Sequence, residues 1–153
     1  MKILELYLQN NHIDKEYIKL ALKLRKMINK TVRKMPKSYR YIITNNILIL
    51  VQEITNNCLK SEYIKLDINL SIEQFKEKQN LLIKANQNLF ILRVEIVFLF
   101  EMLNEGNNIF QSAEESDKIF DKLMNTMIKL SKLIDNIYQL NINNIKKIKS
   151  KNI

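Results

Sequence analysis

Residues 33–41, RKMPKSYRY, contain the only proline of the 153-residue chain, and they decide how the first half of the sequence folds. Proline lacks a backbone N–H and disfavours helical geometry at the preceding residue, so Pro36 predicts the end of a helix. Ser38 is a residue type that caps a helix, and we expect the next one over about residues 39–59. Gly106 is the only glycine, and so few turn-forming residues favour long helices over a β-rich fold.

Upstream of Pro36, apolar residues recur at spacings of three and four. This period predicts an amphipathic first helix that begins at Asp14, its expected N-cap, and runs to about Lys34. The second helix has the same period, and its core face is predicted to carry Ile42, Ile43, Asn46, Ile47, Leu50, Ile54 and Cys58.

Two capping-box sequences predict the third and fourth helices. Ser71 and Gln74 form the first, ahead of a helix that runs to about Glu105, where the lone glycine follows. Ser112 and Glu115 form the second, and acidic residues in the turn after it suit the positive end of a helix dipole.

These elements predict an all-α fold, an up-down four-helix bundle with long helices over residues 14–138. Residues 1–13 are predicted to form an N-terminal arm or a short helix. Residues 139–153, QLNINNIKKIKSKNI, are basic and rich in asparagine, and they predict a flexible C-terminal tail.

The sequence offers no group of residues suited to catalysis or to a metal site. His12 is the only histidine and Cys58 the only cysteine, which excludes a disulfide within the chain and disfavours a Cys/His zinc site. There is also no Gly-rich phosphate loop, no HExxH and no Glu-x-x-His motif. We therefore predict a protein without enzymatic activity, cofactor or metal, and with Cys58 as a buried small hydrophobe.

Residues 89–103, LFILRVEIVFLFEML, are apolar around nearly the whole third helix. The run contains three charges and is shorter than the about 20 residues of a membrane span, so we expect none. The absence of a signal-peptide pattern at the N-terminus predicts a cytoplasmic protein. The third helix is either central in the bundle and covered on most sides, or its second face is a homo-oligomer interface. That interface would comprise Phe90, Ile91, Val94, Val97 and Phe98.

The charge of the chain is segregated. Residues 15–40 contain ten basic residues and one acidic residue, whereas residues 41–145 contain ten basic and thirteen acidic residues. Along the first helix the cations are spaced by three or four residues, so they share one face although like charges at such spacing destabilise a helix. We call this surface the basic stripe, and its predicted members are Lys15, Lys19, Lys23, Lys26, Lys30, Arg33, Lys34, Lys37 and Arg40.

Three partners for the basic stripe stay open. A phosphate backbone, either RNA or DNA, is the simplest acidic partner for an uncompensated row of cations. The stripe is otherwise a solvated face that acidic residues of another helix balance, such as Glu73, Glu77 or Glu114. The third alternative is a structural interaction module whose basic face docks an acidic protein.

Three segments of the chain carry a resemblance to a known family. KMPKSYRY leads into NNILILVQEITNN, and the later stretch is LLIKANQNLFILRVEIVFLFEMLNEGNNIF. Over about residues 18–138 the chain resembles small bacterial four-helix-bundle proteins, which include ribosomal-RNA intervening-sequence proteins and accessory variability proteins of diversity-generating retroelements. The matching residues are Pro36, Lys37, Ser38, Arg40, Ala85, Asn86, Leu89, Leu92 and Arg93.

The resemblance implies a ring-shaped homopentamer of four-helix bundles. It also implies a basic surface that binds nucleic acid, and a partnership with a reverse transcriptase during cDNA synthesis. The leading hypothesis from the sequence is thus a non-enzymatic, oligomeric accessory protein that binds RNA or DNA and serves a reverse transcriptase.

Overall fold

A computed structural model of the chain describes residues 3–13, 15–64, 71–106 and 109–151, and these residues are almost entirely helical, with no strand among them. The helices are α1 (Ile3–Asn10), α2 (Glu16–Val32), α3 (Asn45–Tyr63), α4 (Ile72–Glu105) and α5 (Ala113–Lys151). Helix α2 packs against α3 and α5, and α4 packs against the same two helices. The described residues therefore form an all-helical bundle, as the sequence predicts.

The core consists mainly of aliphatic side chains, to which α2, α3, α4 and α5 each contribute one face. Removing one such side chain from water stabilises the fold by about 1.5–3 kcal/mol relative to leaving it exposed. Cys58 is fully buried among them, as predicted. The largest fully buried side chains are Tyr17, Ile18, Leu24, Ile28, Ile43, Ile47, Ile54, Leu82, Leu89, Leu92, Ile96 and Leu99.

The predicted limits of α4 are confirmed. Ser71 Oγ accepts a hydrogen bond from the Gln74 N–H at 3.1 Å, and Gln74 Oε1 accepts one from the Ser71 N–H at 3.0 Å. This reciprocal capping box satisfies donors that the first turn of a helix leaves free. The helix ends at Glu105, and Gly106 is its C-cap. Asp14, the predicted N-cap of the first helix, lies outside the described residues.

The connection between α2 and α3 differs from the prediction. After Pro36 the chain forms a 3₁₀ turn, Lys37–Tyr39, and then a π-helical turn, Arg40–Thr44, before α3 begins. Ser38 lies within the 3₁₀ turn, and no side chain caps either turn or α3. The prediction of Ser38 as a helix cap is therefore wrong. The 3₁₀ turn and the π turn connect α2 to α3 without a side-chain cap.

The register of α3 corrects part of its predicted core face. Ile43, Ile47, Ile54 and Cys58 are buried and Leu50 is half-buried, but Ile42 and Asn46 are exposed. Asn46 is about 100° around the helix from Ile47, away from the buried side. Ile42 lies in the π turn directly before Ile43 and Thr44, which are the buried residues of that turn. Val51 and Thr55 are buried instead.

Helix α5 corrects the prediction of a flexible tail. It continues through residue 139 to Lys151, and it buries Asn141 and Ile145. Asn141 Nδ2 donates to Gln79 Oε1 at 3.1 Å, and Gln79 Nε2 donates to the Tyr138 carbonyl at 3.3 Å. These buried contacts with α4 stabilise a segment whose asparagines have low helix propensity. The tail prediction is wrong for residues 139–151, and residues 152–153 lie outside the described ones.

Helix α1 agrees with the prediction of a short N-terminal helix. It buries Leu8 and exposes Ile3, Leu6 and Tyr7.

Candidate nucleic-acid interface

All nine members of the basic stripe are exposed, so the structure leaves the whole predicted surface open to a partner. Its helical part is the solvent side of α2, whose other side carries Tyr17, Ile18, Leu24 and Ile28 in the core. Among the carboxylates that the structure describes, none lies within 4.0 Å of a stripe ammonium or guanidinium group. The stripe is therefore a row of uncompensated cations within the described part of the chain.

The acidic residues considered as partners within the fold do not reach the stripe. Glu73, Glu77 and Glu114 are all exposed, and none forms an ion pair with any cation of the described residues. The ion pair that does occur joins Lys129 Nζ to Glu16 Oε1 at 3.6 Å, with both side chains more than half exposed. Such exposed pairs contribute little. A stripe balanced within the fold thus finds no support in the described residues.

Two grooves lie along the stripe. The first has a volume of about 1220 Å³ and lies between α1 and α2, where Lys19, Lys23 and Lys26 line it together with His12. His12 follows α1 with a positive φ of 56°, the left-handed conformation that turns the chain towards α2.

The second groove, which we call the corner groove, has a volume of about 510 Å³ and lies where α2 meets α3. Three cations of the stripe line it, Arg33, Lys37 and Arg40. The remaining lining residues are Asn29, Val32, Met35, Pro36, Thr44, Asn45 and Leu48. The cations at the end of the stripe therefore line a concave site, because the proline and the two irregular turns bend the chain there.

Sequence reasoning missed the polar and aromatic neighbours of these cations. Asn29 and Asn45 come together only because α2 and α3 pack side by side. Tyr41 is 85% exposed in the π turn, directly after Arg40. The sequence does contain a signal that could have identified Tyr41: it is an aromatic residue inside a basic run, and such interleaving is typical of nucleic-acid surfaces.

The buried ionisable groups lie elsewhere and have structural roles. Lys78 Nζ donates to the carbonyls of Ser61 at 2.6 Å and Ile64 at 2.8 Å, which closes the C-terminal end of α3, and burial lowers the pKa of this lysine. The Tyr17 hydroxyl donates to Glu62 Oε2 at 2.8 Å, and burial followed by the Glu62 charge raises the pKa of Tyr17. These contacts join α2, α3 and α4 without forming an open pocket.

The described residues contain no group of three or more His, Cys, Asp or Glu side chains placed to hold a metal ion. Nor is any helix in the described ranges long and apolar enough to cross a membrane.

The second face of α4 is exposed, which contradicts one of the two interpretations of residues 89–103. The helix is not covered on most sides by its own bundle: Phe90, Ile91, Val94, Val97 and Phe98 are between 43% and 61% exposed. The bundle has a single buried core between its helices. One apolar face of α4 packs into this core, and the other is left in solvent. The prediction that left both faces inside the bundle is wrong.

This face continues into a groove between α4 and α5 of about 660 Å³. Ile83, Phe90 and Ile91 line it, and Asn86 Nδ2 donates to Asp135 Oδ1 at 2.7 Å on its wall. Among the residues that carry the family resemblance, Ala85, Leu89 and Leu92 are buried in the core, whereas Asn86 and Arg93 are half-buried.

Comparison with known proteins adds no family to these observations: protein-family models, curated proteins and solved structures all yield no match to the chain.

Proposed function

We propose that the protein is a non-enzymatic, oligomeric accessory protein that binds the backbone of RNA or DNA through its basic stripe. The observation that carries the proposal is the row of nine exposed cations without a described carboxylate within 4.0 Å. A fold that keeps like charges at spacings of three and four along one face bears a cost in stability, and an acidic partner offsets it.

The mechanism is electrostatic. Lysine and arginine side chains neutralise phosphates and release condensed counterions, so affinity falls steeply with salt and depends little on sequence. We expect the logarithm of the binding constant to fall linearly with the logarithm of salt concentration, with a slope of about 0.7–0.9 for each neutralised phosphate.

Charge reversal on α2 tests this function. Replacing Lys19, Lys23, Lys26 and Lys30 by glutamate is expected to abolish binding to mixed-sequence RNA and DNA in fluorescence anisotropy. The matched control changes the net charge equally on α4 and α5, where it replaces the exposed lysines Lys76, Lys84, Lys118 and Lys132 by glutamate. That variant should keep most of the affinity. Equal losses in both variants, or no binding by the wild type at low salt, would overturn the proposal.

The same measurements separate the alternative partner, an acidic protein surface docked on the stripe. If an affinity-tagged protein retains an acidic protein through the stripe after nuclease treatment, and binds no nucleic acid, the interaction module is the correct function. Charge reversal at the four α2 lysines should then release that protein.

The architecture and partners of the proposal follow from the arrangement of the helices and from the resemblance. We infer an up-down four-helix bundle formed by α2, α3, α4 and α5, in which each helix has two neighbours. The exposed second face of α4 supports association of copies, since it presents five exposed apolar side chains on one side of the helix. The resemblance adds a homopentamer and a reverse transcriptase as partner, and in vitro cDNA synthesis with and without the protein tests the latter.

A further inference from the structure

The corner groove combines cations of the basic stripe with apolar side chains. Arg33, Lys37 and Arg40 provide its cations, and all three are exposed. Neutralising a phosphate backbone requires only such cations. The apolar lining has no part in that task, and it consists of Val32, Met35, Pro36 and Leu48.

Two amides complete the lining of the groove. Asn29 and Asn45 are half-buried in it, and neither side chain hydrogen-bonds another residue in the part of the chain that the structure describes. A side-chain amide offers both donors and acceptors, the combination that pairs with the edge of a nucleobase. The groove therefore has open hydrogen-bonding groups beside an apolar surface.

The π-helical turn adds an exposed aromatic residue directly after Arg40 in the sequence. Within Arg40–Thr44 it leaves Tyr41 85% exposed and Ile42 62% exposed. Single π turns in proteins occur frequently at functional sites. An exposed aromatic ring next to an arginine that lines a basic groove is the arrangement on which unpaired bases stack.

We propose that the corner groove is a subsite for one unpaired nucleotide of a single-stranded nucleic acid. Its phosphate contacts Arg33, Lys37 and Arg40. Its base lies against the apolar lining within reach of the two amides, while the adjacent base stacks on Tyr41. The volume of about 510 Å³ is in the usual range of small-molecule sites, about 300–1,000 Å³. This inference rests on the proposed function and narrows its ligand to single-stranded nucleic acid, because bases in a duplex are paired and cannot enter the groove.

The test compares three labelled ligands of equal length in fluorescence anisotropy: a single strand, its duplex, and the same strand with abasic sites. We expect the single strand to bind more tightly than the duplex, although the duplex has the higher charge density. The abasic strand keeps the phosphates and loses the bases, and it should bind at least about five-fold more weakly than the intact strand.

Tyr41→Ala and Tyr63→Ala provide a matched pair of variants. Both tyrosines are exposed, at 85% and 88%, so neither substitution removes a core contact, and circular dichroism checks the helical content. Tyr41→Ala should lower the affinity for the intact single strand at least about five-fold and leave the affinity for the abasic strand unchanged. Tyr63→Ala, at the far end of α3, should change neither.

A further variant addresses the cations of the groove. Arg40→Ala should lower the salt slope for the single strand by about 0.7, the value of one phosphate contact, whereas Lys132→Ala on α5 should leave it unchanged.

The outcomes separate this inference from the proposed function. Equal affinities for intact and abasic strands, together with equal behaviour of the two tyrosine variants, would overturn the nucleotide subsite while backbone binding stands. Binding that survives charge reversal of the four α2 lysines, but is lost in Tyr41→Ala and Arg40→Ala, would keep the subsite and overturn the proposed role of the α2 lysines. Absence of any nucleic-acid binding would overturn both.

Discussion

The thiol of Cys58 couples protonation to stability at high pH. It is fully buried, and burial raises its pKa from 9.0 to about 12. Above pH 9 the unfolded chain releases this proton while the folded chain keeps it, so the folded state binds more protons and the free energy of unfolding falls. We expect this one group to contribute a fall approaching about 1 kcal/mol per pH unit, measured by urea unfolding between about pH 8 and pH 10. Cys58→Ala should show a shallower fall over the same range. Equal slopes would contradict the prediction.

Lys78 stabilises the end of α3 from the neighbouring helix. Its ammonium group donates to two carbonyls of the last turn, Ser61 and Ile64, at the negative end of the α3 dipole. Lys78→Ala leaves these acceptors without that donor, and it should lower the free energy of unfolding by about 1–3 kcal/mol in denaturant titrations. Lys76→Ala, an exposed lysine on the same helix, should change it by less than about 0.5 kcal/mol. A loss no larger than that of the control would show that desolvation of the charge cancels its hydrogen bonds.

At the scale of elements, the C-terminal part of α5 is helical although its composition predicts a flexible tail. Asn141 and Ile145 are buried there, and Asn141 bonds Gln79 of α4. We expect the backbone amides of about residues 141–147 to be protected in hydrogen exchange, since they belong to a packed helix. Exchange of these amides as fast as in an unfolded peptide would contradict the helix.

A pair of substitutions in this segment separates packing from helix propensity. Ile145→Asp places a charge at a buried position, and it should abolish protection in the last turns of α5. Asn143→Asp makes a similar change at an exposed position two residues earlier, and it should leave protection unchanged.

For the whole molecule, the exposed second face of α4 predicts self-association. Phe90 and Val94 lie one turn apart on this face, 61% and 54% exposed, and continue the groove between α4 and α5. We expect light scattering to give a mass of at least twice 18.3 kDa for the wild type. Phe90→Glu combined with Val94→Glu should give the monomer, because charges at a buried interface are costly.

The control for this prediction makes the same change on another helix. Ile49→Glu combined with Tyr63→Glu alters two exposed apolar residues of α3, and the oligomer should persist. A monomeric wild type would overturn the interface. It would leave nucleic-acid binding untested by this route, and the charge-reversal experiment then decides that function alone.

The sequence by itself determined the all-helical fold, the start and end of α4, and the position of the basic stripe. Each of these depends on local physics: the period of apolar residues, a capping box between Ser71 and Gln74, and cations that repeat with the helical turn. Proline also restricts the conformation of the residue before it, so it was predictable that α2 ends before Pro36, and the helix ends at Val32.

Only the tertiary structure decided the C-terminal extension of α5, the corner groove and the exposure of the second face of α4. Asn141 bonds Gln79, a residue far away in sequence, and Asn29 and Asn45 share a groove because α2 and α3 pack together. The exposure of the second face of α4 likewise depends on how many helices surround it, which no pattern within that helix records. Burial is a property of neighbours in space, and local sequence patterns report only the side of a helix that is suited to it.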